Sequence, residues 1–126
     1  MRFSYNFDYF PPAPFIDISL GPPEQSLSIG PLSAFVDSGA DATLVPIRHI
    51  RLLQTQADDR KYLRSQWGER RTVDIYYVDV GIGDVRLPLI EVVADEMSDE
   101  VIVGRNVLNQ LRVVLNGPRG VVDVSG

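Results

Sequence analysis

The chain has 126 residues, a net charge of −5 and no cysteine. That length suits one domain with one core, the acidic balance argues against nucleic-acid binding, which needs a basic face, and the missing thiols exclude disulfides and thiolate metal sites. Apolar residues make up 44% and charged residues 23%, ordinary for a globular domain, and no apolar run approaches the roughly 20 residues of a bilayer span.

Residues 1–13, closing on Pro11 and Pro12, read as an extended N-terminal arm, and 14–126 as one domain. Met1 to Phe10 lacks the basic start and apolar stretch of a signal peptide. With the absence of cysteine, this leads to the expectation of a cytoplasmic protein without membrane or nucleic-acid partners.

Short apolar alternations broken by Gly, Pro and Asp dominate the rest, the pattern of an all-β domain. Phe15 to Leu20 alternates, Gly21-Pro-Pro-Glu24 breaks it, and Leu27 to Ile29 resumes, which predicts a first hairpin. Leu32 to Val36 predicts a strand running into Asp37-Ser-Gly39, and Thr43 to Val45 a second one stopped by Pro46. Residues 47–54 suit a short helix or an irregular turn. Tyr62 to Gln66 and Thr72 to Val80 flank Trp67-Gly68-Glu69 like the arms of a hairpin, and Val85 to Val93 follows as a strand. Val101-Ile-Val103 is short and wholly apolar, suited to burial on both faces. In Arg105 to Leu111, the residues Val107, Leu108 and Leu111 form one apolar helical stripe. Val113 to Leu115 and Val121 to Val124 end the chain as strands.

The basic residues Arg60, Lys61, Arg64, Arg70 and Arg71 are interleaved with Asp58, Asp59 and Glu69, which reads as a solvated face. The lone His49 has no second ligand near it in sequence and reads as a packed or surface histidine. No metal site and no cofactor is expected.

The stretch Ala34-Phe-Val-Asp-Ser-Gly-Ala-Asp-Ala-Thr-Leu-Val45 carries the chemistry. An acid directly after an apolar strand places a carboxylate at the edge of the core, where desolvation acts on it. Ser38 supplies a hydroxyl to hold the loop, and Gly39 lets backbone pass close by. The second stretch, Val101-Ile-Val-Gly-Arg-Asn-Val-Leu108, suits a strand passing under that site, with Gly104 leaving room for the loop. Arg105 opens a helix, where a cation gains nothing from the helix dipole; it is expected to face a specific partner, with Asp41 the candidate.

Together, Asp37-Ser-Gly-Ala-Asp41 and Val103-Gly-Arg-Asn-Val-Leu108 resemble the retropepsin-like aspartic peptidases, those of retroviruses and their bacterial and cellular relatives. The resemblance spans about residues 14–116. It implies an all-β fold, a small closed barrel with a flap hairpin and one short C-terminal helix, acting as a homodimer on a peptide or protein substrate. Carried over, Asp37 matches the catalytic acid, Ser38 the residue whose hydroxyl bonds across the dimer, and Gly39 a backbone contact to substrate. Ala40 and Asp41 fall on the substrate-binding segment; Asp41 and Arg105 match a pair tying that loop to the helix, supported by Gly104. Trp67 and Gly68 match the flap tip by position only.

The implied activity is that of an aspartic endopeptidase, in which two carboxylates share one proton and activate a water. One chain holds one Asp-Ser-Gly, so a two-fold partner supplies the second Asp37. Two alternatives stay open. The chain can be a weakly active or inactive dimerisation or peptide-binding module, against which the intact Asp37-Ser38-Gly39 argues, or a regulated peptidase domain of a larger protein; for the motif itself, the competing reading is a strand-to-turn junction with a structural aspartate. Trp67 is a residue closing on substrate or an exposed tip aromatic.

Overall fold

A computed structural model describes residues 1–64 and 68–126. In chain order the elements are β1 (Arg2–Ser4), β2 (Phe15–Gly21), β3 (Ile29–Val36), β4 (Thr43–Pro46), α1 (Ile47–Ile50) with a 3-10 turn at Arg51–Leu53, β5 (Asp59–Arg64), β6 (Arg70–Ile82), β7 (Val85–Asp95), β8 (Val101–Val103), α2 (Arg105–Leu108), β9 (Arg112–Asn116) and β10 (Val121–Ser125). The expected all-β barrel is present. β2, β3, β8, β4, β7 and β6 pair in that order, and β6 returns to β2, closing the ring; β5 extends it from β6.

The alternation seen in the sequence explains the core. Ile16, Ile18 and Leu20 of β2, Ala34 and Val36 of β3, Val78, Val80 and Ile82 of β6, and Val101 and Val103 of β8 all turn inward and are buried. β1, β10 and β9 form a separate antiparallel sheet. Val122 and Val124 of β10 pack it onto the barrel core.

The structure departs from the expected elements in several places. Leu27 and Ser28 are not strand, and Ile29 joins residues 32–36 in the single strand β3. That strand passes through Gly30 and Pro31 because its register against β2 slips between Ile18 and Leu20. A bulge there absorbs a residue with no amide hydrogen to donate. The stripe at 105–111 winds only one helical turn, to Leu108, before turning into β9. Ile102 is half-exposed, so β8 is not buried on both faces.

β8 decides the layout around the motif. It lies parallel to β3, with Val36 opposite Val103, and antiparallel to β4, with Leu44 opposite Ile102. The strand entering the Asp37 loop and the strand leaving it are therefore separated by one central strand. The loop bridges across the end of β8, where Gly104 begins the next element.

Candidate active site

Asp37 sits where β3 ends, and its amide donates to the carbonyl of Val103 at 3.0 Å. Val36 before it donates to the carbonyl of Pro14 at 3.0 Å, so the strand is pinned up to the acid. The loop then turns tightly. The Ala40 amide donates to the Asp37 carbonyl at 3.2 Å, and the Gly39 amide donates to Asp37 Oδ1 at 2.9 Å. Asp37 is half-buried, and no ion pair engages it among the described residues. One carboxylate oxygen, Oδ1, is oriented by the backbone.

The loop is held mainly by backbone. Arg105 donates its amide to the carbonyl of Ala40 at 2.8 Å. A Cβ on Gly104 would stand 2.2 Å from the Ala42 carbonyl oxygen and 2.9 Å from that of Ala40. Only glycine lets the chain of α2 press this closely on the 40–42 backbone. The Arg105 guanidinium adds a hydrogen bond to the Ser38 carbonyl at 2.8 Å and an ion pair with Asp41. That pair is open to water, with Arg105 43% and Asp41 88% exposed. It is thus a surface contact, worth about 1 kcal/mol or less. Ser38, Gly39 and Asp41 are exposed and Ala40 half-buried around Asp37.

Two residues passed over in the sequence complete the support. Thr43 is fully buried; its Oγ1 donates to Asn106 Oδ1 at 2.8 Å and accepts the Gly104 amide at 3.1 Å. Asn106 Nδ2 in turn donates to the Glu91 carbonyl at 2.8 Å. This chain ties β4, α2 and β7 together beneath the loop and leaves no buried polar atom unsatisfied there. The available signal was weak: a threonine opening an otherwise apolar strand, and an amide directly after Arg105.

Beside the loop lies an apolar row that the sequence alone did not display. Ile102 faces Leu44, Leu44 faces Val93, and Val93 faces Ile75, so the four line one face across β8, β4, β7 and β6. Val73, Ile75 and Val93 form a small cluster of their own, with Ala42, Leu44 and Leu63 half-buried against it. The hairpin of β5 and β6 runs out beyond this row. Gly68 near its tip is exposed with φ +82°, a left-handed conformation suited to glycine. Trp67, the other tip residue named from the sequence, lies outside the described residues.

No protein-family model matches the chain, and no curated protein matches it. Among solved structures, a retropepsin-like aspartic protease from Rickettsia conorii superposes with a TM-score of 0.70 at 14% identity, over 100% of this chain and 92% of that one. The chain has the retropepsin-like fold. The protease of simian foamy virus (mac) superposes with a TM-score of 0.52 at 20% identity, over 72% of this chain and 87% of that one. At such identity, the retropepsin-like likeness concerns the path of the backbone. What the site does here must be argued from its own residues.

Proposed function

We propose that the chain is an aspartic endopeptidase, active as a homodimer in which two copies each contribute Asp37. The observation that carries this reading is the Asp37 carboxylate. It ends a core strand, is oriented by the Gly39 amide, and keeps one oxygen without an ion-pair partner. Its loop rests on the Gly104 and Thr43 supports, so it is placed without using its own reactive oxygen. A single chain has one Asp-Ser-Gly, so the reaction needs a second copy.

Two such carboxylates within a few ångströms share one proton, because both cannot readily ionise together. The ionised one takes a proton from water as the water oxygen bonds to the peptide carbonyl carbon. The protonated one gives its proton to the carbonyl oxygen. The resulting gem-diol collapses with cleavage of the C–N bond, and the leaving amine takes a proton from the dyad. An extended substrate lies between the two loops. The Gly39 backbone, Ala40 and Asp41 meet its main chain, and its side chains pack on Ala42, Leu44, Ile102 and Leu63. The Ser38 hydroxyls hold the two loops across the dyad, and the β5–β6 hairpin, tipped by Trp67 and Gly68, covers the cleft as a flap. The lack of cysteine suits a cytoplasmic setting.

The test is digestion of a peptide library from pH 4 to 7, with products read by mass spectrometry, comparing wild type with Asp37→Asn. Losing the base should lower cleavage at least about 1,000-fold, while the melting temperature stays close to wild type, because Asn still accepts from Gly39. A statine-type inhibitor should block the wild type. Cleavage by Asp37→Asn near the wild-type rate would reject the assignment, and a wild type without activity would favour a non-hydrolytic binding module.

A further inference from the structure

A cavity of about 470 Å³ opens at the root of the β5–β6 hairpin, within the roughly 300–1,000 Å³ usual for small-ligand sites. Leu53, Tyr76 and Val78, all buried, line it together with the more exposed Pro22, Pro23 and Leu89. None of these belongs to the Asp37 loop or to the row Ile102–Leu44–Val93–Ile75, so the cavity is separate from the proposed cleavage cleft. Asp79 sets part of its wall in advance. Oδ2 accepts the Glu24 amide and Oδ1 the Leu89 amide, at 3.0 Å each, which fixes the turn after β2 and the backbone of Leu89. Leu89 is 62% exposed and has φ +52°, a left-handed conformation that leucine rarely adopts. A large apolar side chain held in water on an unfavourable backbone points to a partner.

Two polar groups interrupt this apolar lining. Tyr76 is 9% exposed, and no hydrogen bond engages its hydroxyl among the described residues. A buried tyrosine ordinarily finds a partner for that group. Asp58 is the one charged residue lining the cavity among those described, and no ion pair engages it there. Its position is fixed: Oδ2 accepts the Tyr77 amide at 2.8 Å, and its own amide donates to the Ile75 carbonyl at 2.9 Å. Burial foremost, then the Asp74 and Asp58 charges, raise the pKa of the Tyr76 phenol, which therefore keeps its proton. We propose that this cavity binds a small apolar molecule carrying one ammonium group, the ammonium set against Asp58 and the Tyr76 hydroxyl and the apolar body against Tyr77, Leu53 and Leu89. A carboxylate without an ion-pair partner beside two tyrosine rings attracts a cation. An anion is repelled by Asp58, and a wholly apolar ligand would strip water from the carboxylate and the hydroxyl without replacing its bonds.

The experiment is an NMR titration of the isotope-labelled full chain with phenethylamine at pH 7, where the amine carries its proton. Phenethyl alcohol and phenylacetate serve as neutral and anionic probes of similar shape, and the proteins are wild type, Asp58→Asn and Asp84→Asn. Phenethylamine should bind wild type saturably, with a Kd of about 1 mM or tighter, and move the amide signals of Tyr76, Tyr77 and Leu89. The alcohol should bind about 10-fold more weakly, the factor a charged hydrogen bond adds, and phenylacetate should not bind. Asp58→Asn can still accept the Tyr77 amide, so its melting temperature should stay near wild type while its Kd for the amine rises about 10-fold or more. Asp84→Asn removes the same charge from an exposed turn and should bind like wild type. Equal affinity for amine and alcohol, equal weakening in Asp58→Asn and Asp84→Asn, or shifts confined to the Asp37 loop would each overturn the site. So would a wild type that shows no saturable shift with the amine. Binding is read without proteolysis, so the result stands whether or not Asp37 cleaves peptides.

Discussion

Asp37 and Asp79 both follow apolar strand residues, and the fold treats them in opposite ways. Asp79 is 2% exposed, and its carboxylate accepts the Glu24 amide at 3.0 Å, the Leu89 amide at 3.0 Å and Arg86 Nε at 2.9 Å. Each neighbour leans on the side chain, which stitches the 22–25 turn to β6 and β7. At Asp37 the dependence is reversed: the surrounding backbone positions the carboxylate, and little depends on it in return. A carboxylate that holds structure is saturated with donors. The carboxylate proposed to act on a substrate is placed by others and left open.

The largest expected stability effect therefore lies at the aspartate without a proposed catalytic role. Asp79→Ala strands two amides and a guanidinium, and should cost about 3 kcal/mol in denaturant melts. If the loss matched that of a surface substitution, the contrast between the two sites would collapse. The same group gives an acid signature. The Glu24 amide foremost, against the upward push of burial, then the Leu89 amide and the Arg86 guanidinium, hold the Asp79 carboxyl below the usual carboxylate range. A depressed folded value means that its stabilisation is present above the unfolded value, about 3.9, and is lost as pH falls through the folded one. Melts from pH 6 down to 2.5 should show a steeper acid decline in wild type than in Asp79→Asn.

A smaller effect is expected from Gly104→Ala, which forces a methyl against the Ala42 carbonyl. Overpacking of this kind costs about 1–3 kcal/mol. Because the strain falls on the Asp37 loop, kcat should drop further than the melting temperature alone would suggest. Equal behaviour of Gly104→Ala and wild type would show that the loop is not held by this close approach. The smallest effect belongs to Arg105→Ala. Its pair with Asp41 is open to water, so the loss should be about 1 kcal/mol, mostly from the bond to the Ser38 carbonyl, and Asp41→Ala should cost less. A loss of several kcal/mol in Arg105→Ala would mean that the side chain, rather than the backbone, supports the loop.

Much of this was legible in the chain itself. The core residues Ile16, Ile18 and Leu20 of β2 and Val122 and Val124 of β10 alternate along the chain, and alternation is a local consequence of the pleat, visible without any partner strand. Asp37-Ser-Gly39 and Gly104-Arg105 stood out because a carboxylate after an apolar strand and a glycine after another are conspicuous in one dimension. Residues 29–36 were misread as two pieces because Gly30-Pro31 looks like a break, and only the slipped partner strand explains why it is not. Thr43 and Asn106, 63 positions apart, become partners only when β8 slides between β3 and β4. The row Ile102–Leu44–Val93–Ile75 likewise exists only across four strands. Strand periodicity and the residue types of the loop are properties of neighbours along the chain, so the sequence alone determined them. Which edge of a sheet is left unpaired, and which of two aspartates is saturated, are properties of neighbours across space. Those the tertiary structure decided, since a strand's hydrogen-bonding edges carry no side-chain label until its partners are in place.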